Sequence, residues 1–137
     1  RDWLAAHVPA EPLDSFDTEA GFRQHREWEA TLNRGGWGMV SWPTELGGRD
    51  CGLVDWLIFE EEYYRAGAPG RVNQNGIFLL GPTIMEYGTP EQKARYLPGV
   101  LDGSRLGAFA LTEPDRTSVQ EVMKFSTDGS LRRARNK

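Results

Sequence analysis

Apolar residues recur at helical spacing along most of this chain, and past residue 105 they give way to a short run, Leu106 to Leu111, bounded by turn residues. Spaced apolar positions mark helices with one packed face, whereas a short unbroken run between turn residues reads as a strand. Asp2 to Val8 has Trp3, Leu4 and Val8 on one side and stops at Pro9, which predicts a short helix. Ala10 to Asp17 contains two prolines and no period, so it is expected to be a loop. Asp17 or Thr18 can cap a second helix that reaches about Arg34 and ends at Gly35-Gly36. Its apolar positions, Phe22, Trp28 and Leu32, are sparse enough to pack one face only. Gly36 to Pro43 is expected to be a buried extended connector anchored by Trp37 and Trp42. After a turn at Gly47-Gly48-Arg49-Asp50, a third helix is predicted from about Leu53 to Ala66. Leu53, Trp56, Leu57, Phe59 and Tyr63 give it a heavy apolar side.

Val72 to Tyr87 carries the densest apolar content, interrupted by Gly76 and Gly81-Pro82, and a proline inside such a run kinks or restarts a helix. Apolar all round, it is expected to be the buried central helix of a bundle. Small residues on it also leave room for an alkyl chain, so core packing and ligand lining both remain readings. Next comes a helix stop beside a helix start. Gly88 can adopt the left-handed conformation, Thr89 can cap, and Pro90 suits the first helical position. Pro98 and Gly99 are expected to break this helix after about two turns. Leu106 to Leu111 then has strand length and stops at Thr112-Glu113-Pro114. Val119 to Ser126 and Leu131 to Arg135, separated by Thr127-Asp128-Gly129-Ser130, carry a hairpin signal. The predicted class is mainly α: a helical bundle followed by the first strands of a truncated β-domain.

Composition narrows the function classes. The 137 residues carry 16 basic against 20 acidic side chains, a net charge of −4, which argues against a nucleic-acid binder. The basic cluster Arg132-Arg133-Ala134-Arg135-Asn136-Lys137 lacks interleaved aromatics and reads as a solvated tail. The single cysteine, Cys51, excludes an internal disulfide and fits a reducing cytoplasm. No apolar run approaches the ~20 residues of a membrane span, and no signal peptide is visible. The start at Arg1 leaves room for residues upstream. Glu60, Glu61 and Glu62 invite a metal or acid–base role. Neighbouring helix positions point about 100° apart, however, so an Arg-paired or solvated face is expected instead. His7 and His25 stand apart from any partner and are expected at the surface. No catalytic triad, phosphate loop or metal spacing is present.

Four blocks in order add a resemblance. Trp42-Pro43-Thr44-Glu45-Leu46-Gly47-Gly48, Glu60 to Pro69, Gly88 to Pro98, and Ala110-Leu111-Thr112-Glu113-Pro114 resemble the N-terminal part of the acyl-CoA dehydrogenases. The likeness covers about residues 1–114, with a trace to Ser118. It implies an N-terminal helical domain over 1–102 and the start of a middle β-domain over 103–137. It also implies FAD as cofactor, with Phe109, Leu111, Thr112 and Ser118 as flavin contacts and Ser118 also touching the substrate. The implied partners are an acyl-CoA thioester, an electron-transfer flavoprotein or similar acceptor, and other subunits of a homo- or hetero-oligomer. In this family the helix corresponding to Val72 to Tyr87 borders the acyl pocket. The family's catalytic glutamate belongs to a C-terminal bundle beyond this sequence, so no residue here is expected to be catalytic; Glu113 belongs to a binding motif. Two readings follow: an acyl-CoA dehydrogenase or a fragment of one, inactive alone, and a non-catalytic subunit or interaction module of the same fold. The second is prompted by Arg116, Thr117 and Val119, which stand where the family carries small residues and an acid.

Overall fold

The computed structural model describes residues 1–108 and the backbone of 123–125 and 131–133. Five α-helices make up the described body: α1 (Asp2–His7), α2 (Glu19–Arg34), α3 (Leu53–Arg65), α4 (Gly81–Tyr87) and α5 (Pro90–Leu101). A 3-10 turn spans Thr44–Leu46, and a π turn, Gly76–Leu80, leads directly into α4. Met123–Phe125 (β1) and Leu131–Arg133 (β2) pair antiparallel, Lys124 opposite Arg132. Residues 106–108 have no regular structure, and the rest of the predicted Leu106 to Leu111 strand lies outside the described residues.

Local chemistry sets the helix boundaries. Thr18 caps α2 by accepting the Gly21 N–H (3.1 Å). Thr89 caps α5 in a reciprocal box: its hydroxyl accepts the Gln92 N–H (3.3 Å), and the Gln92 side chain accepts the Thr89 N–H (2.8 Å). Gly88 departs from expectation, being extended at φ −75°, ψ 149°. Glycine serves there because a Cβ would lie 2.5 Å from the Ile84 carbonyl oxygen. A second departure is α5 itself, which continues through Pro98 to Leu101. An internal proline costs about 3 kcal/mol. Val100 and Leu101, 2% and 5% exposed, follow it. Their burial is worth about 1.5–3 kcal/mol each, which offsets that cost.

Two apolar clusters hold the helices. Leu4, Trp28, Leu32, Val40, Phe59 and Tyr63 join α1, α2 and α3. Met39, Trp42, Ile77, Leu97, Val100 and Leu101 join the π turn to α5. The 37–42 connector supplies Val40 to the first and Met39 and Trp42 to the second, so it stitches them together. Trp42 is buried as expected, while Trp37 is half-buried, stacked on Phe59 with Arg49 3.7 Å over its ring.

The expectation of a fully buried central helix is corrected. Ile77 is buried, but Leu79, Leu80 and Tyr87 are exposed. On α3, Phe59 and Tyr63 face the core while Leu53, Val54, Leu57 and Ile58 face outward. Both helices are apolar on more faces than the described residues cover.

The π turn follows from Pro82, which has no N–H and would crowd the carbonyl four residues back in an α-helix. The Gly81 N–H instead reaches the Gly76 carbonyl, five residues back. Gly81 lies flat against the Trp42 indole, where a Cβ would sit 2.5 Å from Cη2. Gly81→Ala is therefore expected to destabilise by about 1–2 kcal/mol in a urea titration. Overpacking against a rigid ring costs about 1–3 kcal/mol, and the helix propensity gained returns about 1. A stabilised variant would show that the ring has room to move.

Candidate functional site

The polar centre of the described body is Asn73, 1% exposed, in the stretch between α3 and the π turn. Its amide Nδ2 donates to the Val100 carbonyl (2.7 Å) and the Arg105 carbonyl (2.9 Å), and its Oδ1 accepts the Gly107 N–H (2.9 Å). Its backbone N–H donates to Glu29 Oε1 on α2 (2.8 Å). Both side-chain donors and the acceptor are used, as a buried amide requires. The clamp presses the 105–107 segment onto the head of the π turn, where a Cβ on Gly107 would lie 2.7 Å from Gly76 Cα. A glycine at 107 permits that approach. The segment is further tied by the Arg105 N–H to the Gly99 carbonyl (2.7 Å) and by Arg26 Nε to the Gly103 carbonyl (3.1 Å). The segment leading to Phe109 is thus held from α2, the stretch before the π turn and α5 at once.

Beside Asn73 lie two buried charges. Burial pushes the Glu29 carboxyl above the usual range, opposed by the Asn73 N–H and the Arg71 guanidinium. Arg71 sits 4.6 Å over the Tyr63 ring with Glu60 3.4 Å away. Burial likewise raises the Tyr63 phenol. Its hydroxyl donates to the Pro69 carbonyl (2.5 Å) while accepting the Trp28 indole N–H (2.6 Å).

The acidic triplet behaves as expected of an Arg-paired face. Glu60 accepts the Trp56 indole N–H (3.1 Å), Glu61 pairs with Arg65, and Glu62 pairs with Arg1 (2.8 Å) and Arg65. Hydrogen bonding from Arg1 and the charge of Arg65 hold the Glu62 carboxyl down at about 2. His7 is exposed, but His25 is not: its ring nitrogens lie 2.7 Å from the Gly70 carbonyl and 3.2 Å from that of Asp14. Backbone carbonyls distant in sequence make that burial possible, and neither is visible in the local pattern.

Phe109, Leu111, Thr112 and Ser118 all lie outside the described residues. Among the described residues no group of three or more His, Cys, Asp or Glu side chains could hold a metal, and no helix is long and apolar enough to cross a membrane. Depressions among the described residues include an open groove of about 510 Å³ beside Arg23, Arg26 and Arg34, another of about 470 Å³ beside Ala5, Val8 and Arg65, and a pocket of about 330 Å³ walled by Trp3, Trp37 and Phe59. Neither groove has an aromatic wall for a flavin ring, and the pocket is smaller than a dinucleotide needs. The described residues thus do not make a flavin site by themselves.

The family model for the acyl-CoA dehydrogenase N-terminal domain matches residues 1–104. The chain belongs to the acyl-CoA dehydrogenase family. Acyl-CoA dehydrogenase IpdE1 of Mycobacterium tuberculosis is 41% identical over 138 residues, covering 93% of this chain and 36% of the relative. The structure of the Tcur3481-Tcur3483 steroid ACAD G363A variant matches with a TM-score of 0.62 at 31% identity, covering 84% of this chain and 30% of that one. The ChsE4-ChsE5 complex from M. tuberculosis matches with a TM-score of 0.50 at 44% identity over 58% of this chain and 20% of that one. The match therefore spans between a fifth and about a third of the length of these relatives. In this acyl-CoA dehydrogenase domain the clamp at Asn73 and the burial of Glu29 and Arg71 escaped the sequence reading. The one available signal was a polar Asn at the head of the most apolar run.

Proposed function

We propose that the chain is the N-terminal portion of an FAD-dependent acyl-CoA dehydrogenase that introduces an α,β double bond into an acyl-CoA thioester, and that it is inactive alone. The observation that carries this reading is the match of residues 1–104 to the acyl-CoA dehydrogenase N-terminal domain. The Asn73 clamp on residues 105–107 supports it by anchoring the chain just before the segment proposed to face the flavin. In this reading residues 1–102 form the helical domain and 103–137 begin the middle β-domain. Phe109, Leu111 and Thr112 contact the flavin, and Ser118 contacts both flavin and substrate. Bound flavin supplies the hydride acceptor. The residues of this chain supply one wall of its site: backbone and hydroxyl donors that favour the charge developing on the ring. No residue here is assigned the α-proton.

The steroid ACAD among the structural neighbours favours a steroid-derived acyl-CoA over a simple fatty one. The ChsE4-ChsE5 complex favours a hetero-oligomer; an electron-transfer flavoprotein or similar acceptor as redox partner rests on the family resemblance alone. The lone Cys51 fits the cytoplasm.

With FAD and an acyl-CoA added, this chain is expected to lose its flavin on desalting and to reduce no dye above a buffer blank. A single wall leaves too few contacts to offset association entropy. Stoichiometric flavin retained by the chain alone would overturn the claim of an incomplete site. The second reading, a non-catalytic subunit, draws on Arg116, Thr117 and Val119. A longer protein containing this chain that stays colourless with FAD, and inactive, would decide for it.

A further inference from the structure

We propose that Glu29 and Arg71 share a bound water molecule, forming a buried hydration site between α2, the stretch before the π turn, and α5. Both side chains are more than nine-tenths buried, at 6% and 8% exposure. Glu29 Oε2 and the Arg71 guanidinium nitrogens make no well-formed hydrogen bond to a protein group; Arg71 has only the longer approach of its Nη1 to Glu60 (3.4 Å) and its contact with Tyr63. Burying such atoms unpaired costs about 1–3 kcal/mol for a neutral group and more for a charged one. Both residues line one small, partly enclosed cavity of about 10 Å³, with Leu32, Gly38, Ile77, Val100 and Leu101 as its other walls. That is the size of one water and of nothing larger.

The charges select water over an ion. Of the residues lining the cavity only Glu29 and Arg71 are charged, and they carry opposite signs. An added cation would stand against the guanidinium, and an added anion against the Glu29 carboxylate. A water accepts from the guanidinium and donates to Glu29 Oε2, so one molecule satisfies both kinds of orphan. Direct pairing is not how the two meet, since no Arg71 nitrogen lies within salt-bridge distance of Glu29. The water would complete the polar layer that Asn73 begins, because Glu29 Oε1 already receives the Asn73 N–H.

A crystal structure of the full chain near 1.5 Å resolution tests this. The expected result is one isolated density peak within about 3.2 Å of both Glu29 Oε2 and an Arg71 nitrogen. An empty cavity, a peak touching only one of the two, or a guanidinium turned to bind Glu29 directly would each overturn it. An independent measurement is oxygen-17 relaxation dispersion, which counts long-lived waters in solution. Glu29→Leu/Arg71→Met replaces both orphans with apolar groups, and the count is expected to fall by one. An unchanged count in a folded double variant would overturn the proposal; if that variant does not fold, the density in the unaltered chain decides.

Discussion

Asn73→Ala is expected to destabilise the chain by about 3–5 kcal/mol. The substitution strands the Val100 and Arg105 carbonyls and the Gly107 N–H, three groups now satisfied by one side chain. A fully buried orphan costs about 1–3 kcal/mol, and partly buried ones less because water can reach them. Asn73→Asp should be at least as damaging, because a carboxylate offers no donor to two carbonyls and stands close to Glu29. The check is a urea titration of the three proteins side by side. A loss below about 1 kcal/mol for the alanine variant would mean that residues 105–107 are held by something other than this amide.

Trp42→Ala is the other large effect, at about 3–5 kcal/mol. Trp42 is 2% exposed and sits among Met39, Ile77, Leu97, Val100 and Leu101. Gly81 leaves room for its ring by lacking a Cβ, while Gly48 packs against its carbonyl. Removing the indole opens a cavity walled on one side by backbone at Gly81, which has no side chain to swing into the space. The indole Nε1 is itself buried without a partner. Trp42→Phe is therefore expected to recover much of the loss, since it keeps most of the apolar volume and removes the orphaned donor. A phenylalanine variant no more stable than the alanine one in denaturant would show that the ring's full width, and not its apolar bulk, is what the second cluster needs.

The parts of the fold legible in sequence are those decided within a few residues. Thr18 and Thr89 announce their caps by hydroxyl position, and Glu60 to Glu62 announce an Arg-paired face by helix geometry. The errors share a different origin. Pro98 reads as a breaker, but the burial of Val100 and Leu101 is a tertiary gain that no local rule contains. Leu53, Leu57 and Leu79 read as core because apolar periodicity reports which faces want cover, and says nothing of how much chain is at hand to cover them. His25 and Asn73 read as unremarkable polar residues because their partners, Gly70 and Val100 to Gly107, are 27 to 45 positions away. Four ordered blocks were enough to suggest the family, and the three within the described residues fall on the turn at Thr44–Leu46, on α3 and on α5. The predicted flavin contacts fall at residues 109–118, past the last described side chain.

The Asn73 clamp also sets an order of events in folding. It joins positions 32 and 34 residues apart, so closing it early would tie off a long, floppy loop at an entropic penalty growing with the logarithm of loop length. Once the π turn, α4 and α5 have formed, the same span is a few rigid rods and two short joints, and most of that penalty has already been met locally. The latch should therefore shut last in this half of the chain. The Gly107 amide, protected only when it shuts, becomes a reporter whose hydrogen exchange follows the docking of residues 105–107 separately from the fraying of the helices beneath.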